Sequence, residues 1–172
     1  MEESEAKAQL INEIKKLRQR IAELEKREIE RKQTKKALTE GEEKFGAICA
    51  AAQDGIIMID NKGNISYWNK AAQRIFGYTE KEAIGKEVHI FLVPEKYHKA
   101  YKRGFSKFKK TGHGPVIGKT LEFLAVRKDG VEIPIELSVS AIRIQGEWHS
   151  IGIVRDITQR KQAEKKIKHL NA

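Results

Sequence analysis

The chain has 172 residues, 40% of them hydrophobic, a formal net charge of +10 at pH 7 and a single cysteine, Cys49. That length supports one core of ordinary size with helical extensions. One cysteine excludes an internal disulfide framework and any zinc site built on paired cysteines, which suits a reducing, cytoplasmic setting. No apolar run approaches the roughly 18 residues of a membrane helix, and the acidic start "MEESEAKAQL" does not read as a cleaved leader, so no membrane segment is expected.

Residues 1–44 read as a helical arm. Leu10, Ile14, Leu17, Ile21 and Leu24 recur in alternating steps of four and three, the seam of a coiled coil, with Glu, Lys, Arg and Gln beside it. The continued register places Glu28, Arg31 and Lys35 on the seam before Leu38 and Phe45 resume it. So short a clean seam is marginal on its own, and pairing through the arm is expected to draw on the rest of the protein. The other reading is a single solvated helix folding back on its own domain.

From Phe45 the texture changes to short strands and turns. "DGIIMID", "NKG" and "NISYWN" read as a hairpin, and Asn69 stands before "KAAQRIF" as the N-cap of a helix stopped by Gly77. Short helical pieces are expected at "TEKEAIG", capped by Thr79, and at "KEVHIFL". A longer helix then begins at Pro94. Residues 94–112 hold seven Lys/Arg against Glu95 alone, whereas residues 1–45 hold 12 against 11 Asp/Glu. A solvated amphipathic face explains such a basic run. Nucleic-acid binding through 94–112 is an alternative of another class, though no helix-turn-helix pattern accompanies it. Three strands follow, Lys119–Val126, Val131–Ile144 and Trp148–Ile157, joined by turns at "RKDGV" and "IQGEW". In the middle one, apolar Val131, Ile133, Ile135, Leu137, Val139 and Ala141 alternate with more polar neighbours, so one face is buried and the other is wet. The set implies an α+β domain: a five-stranded antiparallel sheet with helices on one face, preceded by a long helix and followed by another.

These segments resemble the PAS family of sensory domains. "AAQDGIIMIDNKGNISYWNKAAQRIFGYTEKEAIGK" is similar to the first half of that fold and "VRKDGVEIPIELSVSAIRIQGEWHSIGIVRDITQRKQAE" to its second half, over about residues 39–166. The resemblance implies a pocket between sheet and helices that senses a small molecule or redox state, contacts that pair two copies, and no catalysis by the domain itself. It also makes Glu82 and Lys128 candidates for a surface ion pair between a short helix and a hairpin.

The family divides by what fills the pocket. Flavin-binding light sensors of the LOV type carry a cysteine on the helix after the "IG" turn. "GKEVHIFL" has none and Cys49 precedes the first strand, so no LOV-type flavin adduct is expected, while non-covalent flavin stays open. Heme-binding oxygen sensors of the family carry a histidine on the long helix. In an ungapped match from "PEKY" its place falls on Tyr101, which leaves His98, one turn earlier, or Tyr101 itself as the candidate iron and metal ligand. At about 100° per residue, Tyr97, Gly104, Phe105 and Phe108 share a face with Tyr101, and His98 lies at its edge. Without a cofactor, Tyr97, Tyr101, Phe105 and Phe108 are expected to face Ile133, Ile135 and Leu137 across an apolar pocket, with Ile90 and Phe91 near the mouth. Such a pocket suits a small apolar ligand, or an acidic one held by the basic helix.

No metal-binding repeat, phosphate loop or nucleophile context is present. His169 in "HLNA" lacks the acidic neighbour and proline of a kinase phosphoacceptor box. The expected function is that of a sensory relay module: residues 45–157 sense, and the arms at 1–44 and 158–172 pair two chains and pass the state to an effector such as a histidine kinase. Asp156, Ile157 and Thr158 join the last strand to the last helix with almost no slack, and Asp156 or Thr158 can cap that helix. The helix sequence "QRKQAEKKI" is echoed by "ERKQTKKAL" at residues 30–38, as when the exit helix of one module leads into the next or as when charged linkers converge in composition.

Overall fold

The structure, a computed structural model, describes residues 2–170, with side chains from residue 10 onward and at Lys7. Met1, Asn171 and Ala172, at the outer ends of the two expected arms, lie outside the described residues. Two compact units are present, one up to Ala47 and one from Ile48.

The first unit is the body of helix α1 (Glu2–Ala51). Its seam residues Leu10, Ile14, Leu17, Ile21 and Leu24 are 45–61% exposed, an uncovered apolar row. Ion pairs Glu23–Arg27 and Glu28–Lys32, both 2.7 Å, support the helix from its side. The helix outruns the change of texture expected at Phe45 and stops at Ala51. Gly41 and Gly46 each weaken it by about 1 kcal/mol relative to alanine, too little to end a helix flanked by good helix formers.

In the second unit the strands β1 (Gly55–Ile59), β2 (Ile65–Trp68), β3 (Lys119–Val126), β4 (Glu132–Ile144) and β5 (Glu147–Asp156) form one antiparallel sheet in the order β2-β1-β5-β4-β3. Between β2 and β3 come α2 (Lys70–Phe76), α3 (Glu80–Ala83), α4 (Val88–Phe91), a 3₁₀ turn (Glu95–Tyr97) and α5 (His98–Thr111); α6 (Thr158–Leu170) follows β5. The predicted long helix from Pro94 is thus this turn followed by α5. Val131, expected to begin β4, instead stands 52% exposed in the turn before it, while Ile133 and Ile135 are buried as the alternation requires. Gln145 and Gly146, with φ of 51° and 86°, make the tight turn between β4 and β5. Gly112 ends α5 at φ 70°, and a Cβ there would come within 2.6 Å of the Trp148 ring. Glycine at that position is what lets β5 pack beneath the helix.

The core joins Phe76, Trp68, Ile65, Ile57, Ile133 and Val154. At its edge lies Asn69, 4% exposed, and its amide is fully used. Oδ1 accepts from the N–H groups of Ile56 and Ala72, both at 2.9 Å, while Nδ2 donates to the carbonyls of Cys49 at 3.0 Å and Asp54 at 3.1 Å. The expected helix cap is therefore also a tie between the last turn of α1, the loop after it, β1 and α2. Asn69→Leu strands several buried polar groups and is expected to cost about 3 kcal/mol. Asn69→Asp keeps the Oδ1 acceptor but sets a buried carboxylate oxygen against the Cys49 and Asp54 carbonyls, and is expected to cost at least as much, as read from urea unfolding midpoints.

Candidate functional site

Between α5, α4 and the helix-facing side of the sheet lies a cavity of about 500 Å³. Strand alternation supplies its floor: Ile57 and Ile59 from β1, Phe123 and Ala125 from β3, Ile135 and Leu137 from β4, Ser150, Gly152 and Val154 from β5. Tyr97, Tyr101, Phe105 and Phe108 form the wall, so all four predicted aromatic residues line it, as do Ile135 and Leu137. Ile133 packs in the core instead. Among the 26 lining residues the only polar side chains are those of Tyr97, Tyr101 and Ser150; none is charged. The lysines and Arg103 of α5 point away from the cavity, so the basic helix places no cation inside to hold an acid.

Three further predicted positions stand elsewhere. Ile90 does not line the mouth; it is 68% exposed, because Val88 and Leu92, four residues apart on the same face, take the inward direction and leave Ile90 on the outside of α4. Phe91 packs on Tyr78 at 4.0 Å between ring centroids, off the cavity. His98 is likewise not a lining residue; its Nε2–H donates to the Val93 carbonyl at 2.8 Å.

His89, which sequence reasoning passed over, is 8% exposed and lies parallel to Tyr101 with 5.1 Å between ring centroids. Tyr101 in turn stacks with Phe105 at 5.7 Å, and the His98 ring meets His89 edge-on at 5.5 Å. Burial pushes the Tyr101 hydroxyl well above the usual tyrosine range, and its oxygen is buried with no hydrogen-bond partner among the described residues. No histidine lines the cavity to meet a heme iron: His98 is engaged with the Val93 carbonyl and His89 stacks on Tyr101. Flavin's polar ring edge would meet no amide side chain among the lining residues.

The junction after β5 is tightly held. Asp156 Oδ1 accepts from the Thr158 N–H at 2.8 Å, which makes Asp156 the residue that caps α6, whereas Thr158 Oγ1 is buried without a partner among the described residues. Ile157 is 3% exposed, and its N–H donates to the Pro134 carbonyl. One residue earlier than the predicted junction, Arg155 Nε and Nη2 donate to both oxygens of Asp54 at 2.9 and 2.7 Å, holding that carboxyl below its ordinary range. Glu122 and Glu136 sit directly opposite each other on β3 and β4. Arg160 of α6 reaches both, at 2.7 and 3.2 Å, and Lys161 joins Glu122 at 2.5 Å. Like charges paired across strands repel, so the α6 cations are what makes this pair tolerable. The expected Glu82–Lys128 bridge is present at 2.6 Å, and it holds the Glu82 carboxyl down at about 2 with help from Thr79.

The family described as PAS fold matches residues 43–157. The chain belongs to the PAS family. A solved PAS domain of an HTR-like protein from Haloarcula marismortui has the same fold at TM-score 0.59 and 24% identity, over 73% of this chain and 99% of that one. Sensor protein FixL of Bradyrhizobium diazoefficiens is 33% identical over 143 residues, which is 83% of this chain and 28% of FixL. Cell-division control histidine kinase PdhS of Brucella anthropi is 29% identical over 146 residues, 81% of this chain and 13% of PdhS. The PAS chain thus spans less than a third of either relative. It is a sensory domain related to these proteins, and no helix among its described residues is long and apolar enough to cross a membrane.

Burial, and the nearby Lys102 and His98 charges, hold His89 below its ordinary pKa of 6.5 against the opposing pull of Glu87. A histidine kept neutral in the fold contributes stability that is complete above the unfolded value and is lost as pH falls through the lower folded one. The thermal midpoint is therefore expected to drop between about pH 6.5 and 5. His89→Phe, which keeps the stack on Tyr101, is expected to reduce that drop, measured by circular dichroism across the range.

Proposed function

We propose that this PAS domain is a cytoplasmic sensory relay that pairs through its helical arms and passes the occupancy of its cavity to an effector such as a histidine kinase. Residues 1–44 serve as the leading arm, 45–157 as the sensor and 158–172 as the output arm, and no bond-making chemistry is assigned to any of them. The observation that carries this reading is the alternation along β3 and β4. Leu121, Phe123, Ile135 and Leu137 face the cavity, and Glu122 and Glu136, lying between them, face outward to Arg160 of α6. The side-chain period of two makes each strand a two-sided element, with ligand contacts on one side and output-helix contacts on the other.

A molecule that enters the cavity bears on those two strands, and any shift of their spacing changes the separation of Glu122 and Glu136 and hence the grip on α6. A ligand shifts such an equilibrium only by its differential affinity for the two arrangements. The exposed contacts of the grip suit a small gap between them. The uncovered apolar row of α1 supplies the surface for pairing.

Ser150→Leu puts bulk into the cavity floor and mimics occupancy without a ligand. Spin labels at position 165 of two paired chains are expected to change their separation in that variant, and to change less when Arg160→Ala is added. An unchanged distance in Ser150→Leu, or a chain that sediments as a monomer at micromolar concentration, overturns the relay.

A further inference from the structure

The sensory reading of the cavity leaves its ligand class open, and the lining residues narrow it. Heme lacks an inward nitrogen, since His98 is bonded to the Val93 carbonyl and His89 stacks behind Tyr101. Anions lack a counter-charge, since no lining residue is basic. The Tyr101 hydroxyl is sealed inside the protein, and a Cβ at Gly63, in the turn between β1 and β2, would come 3.8 Å from it. Tyr97 is 39% exposed, on the solvent side of the wall. Ser150 remains: it is 5% exposed, and it lies on the floor between the β1 and β4 strands. Its hydroxyl makes no hydrogen bond to the protein among the described residues. Gly152 keeps the floor low next to it; a Cβ there would come 3.2 Å from Leu137.

Resting on the sensory reading, we infer that the cavity binds an uncharged, largely apolar molecule with one hydrogen-bonding group, a medium-chain alcohol or ketone in chemical class, whose polar atom meets Ser150 Oγ. Burying a carboxylate in the same place costs its hydration with nothing to replace it. A neutral hydroxyl needs a single partner, which Ser150 provides. The remaining surface gains by the ordinary burial of aliphatic or aromatic carbon against Phe105, Phe108 and Phe123.

The test titrates the full chain with 1-decanol, decanoate and hemin, reading displacement of N-phenyl-1-naphthylamine fluorescence and bound mass by native mass spectrometry. Decanol is expected to displace the dye at a concentration at least about tenfold below decanoate, and hemin to give no shifted Soret band. Ser150→Ala is expected to weaken decanol about 2- to 10-fold, the worth of one neutral hydrogen bond, with displacement corrected for the dye affinity measured in the variant itself. Equal or tighter binding of decanoate, stoichiometric uptake of hemin, an unaltered decanol affinity in Ser150→Ala, or no displacement by decanol each overturns the inference. Binding is read here without reference to the arms. Decanol binding beside unmoved spin labels would sink the relay alone, and preferred binding of decanoate would sink the ligand class alone.

Discussion

The side-chain amide of Asn69 is the tie on which the rest of the domain depends. An asparagine side chain offers two donors and accepts through one oxygen, and here every one of those capacities is spent on backbone groups of separate segments. Without that tie the last turn of α1, the loop at Asp54, the start of β1 and the start of α2 would each leave a polar group to be satisfied elsewhere, in a place that water reaches poorly. Asp54 extends the network. Its carbonyl accepts from Asn69 and its carboxylate from Arg155 near the end of β5. The root of the leading helix and the strand that launches the output helix therefore meet through one aspartate. Within the second unit the last turn of α1 ends, and the strand leading into α6 finishes, at one shared polar junction.

Patterns of short range made most of this fold legible. The two-residue period of β4 set which side chains face the helices, the four- and three-residue steps set the face of α5 that lines the cavity, and Asn69, Thr79 and Gly77 marked the helix limits near which the elements do begin and end. α1 runs past the change of texture expected at Phe45 because the strand signal begins only at Gly55, and Gly41 and Gly46 are weak sites in a charged helix. Ile90 was misplaced because a single helical turn is too short for periodicity to choose a face; only the packing of Val88 and Leu92 against the sheet settles it. The Asp54–Arg155 pair, 101 residues apart, and the Arg160 bridge to Glu122 and Glu136 depend on strand order, which local pattern does not carry. The outward glutamates had an available clue: two of them at matched positions on neighbouring strands need a cation, and the run "QRKQ" sits next in the chain to supply it.

The two polar assemblies differ in a way that bears on movement. Asn69 is buried and engaged with backbone, so its contacts are costly to break. Arg160, Lys161 and Glu122 are side chains standing in solvent, screened by salt and able to exchange partners, as Glu164, an alternative acceptor within the helix itself at 3.9 Å from Arg160, shows. A switch needs one part that holds and one that lets go. Gly152 on β5, Ala125 on β3 and Ala100 on α5 are among the small residues that line the cavity, while the inward neighbours of the two glutamates are the larger Leu121, Phe123, Ile135 and Leu137. In the proposed relay, a weak, multivalent grip on their outer side and cavity-lining side chains on their inner side make β3 and β4 the strands that would couple the two.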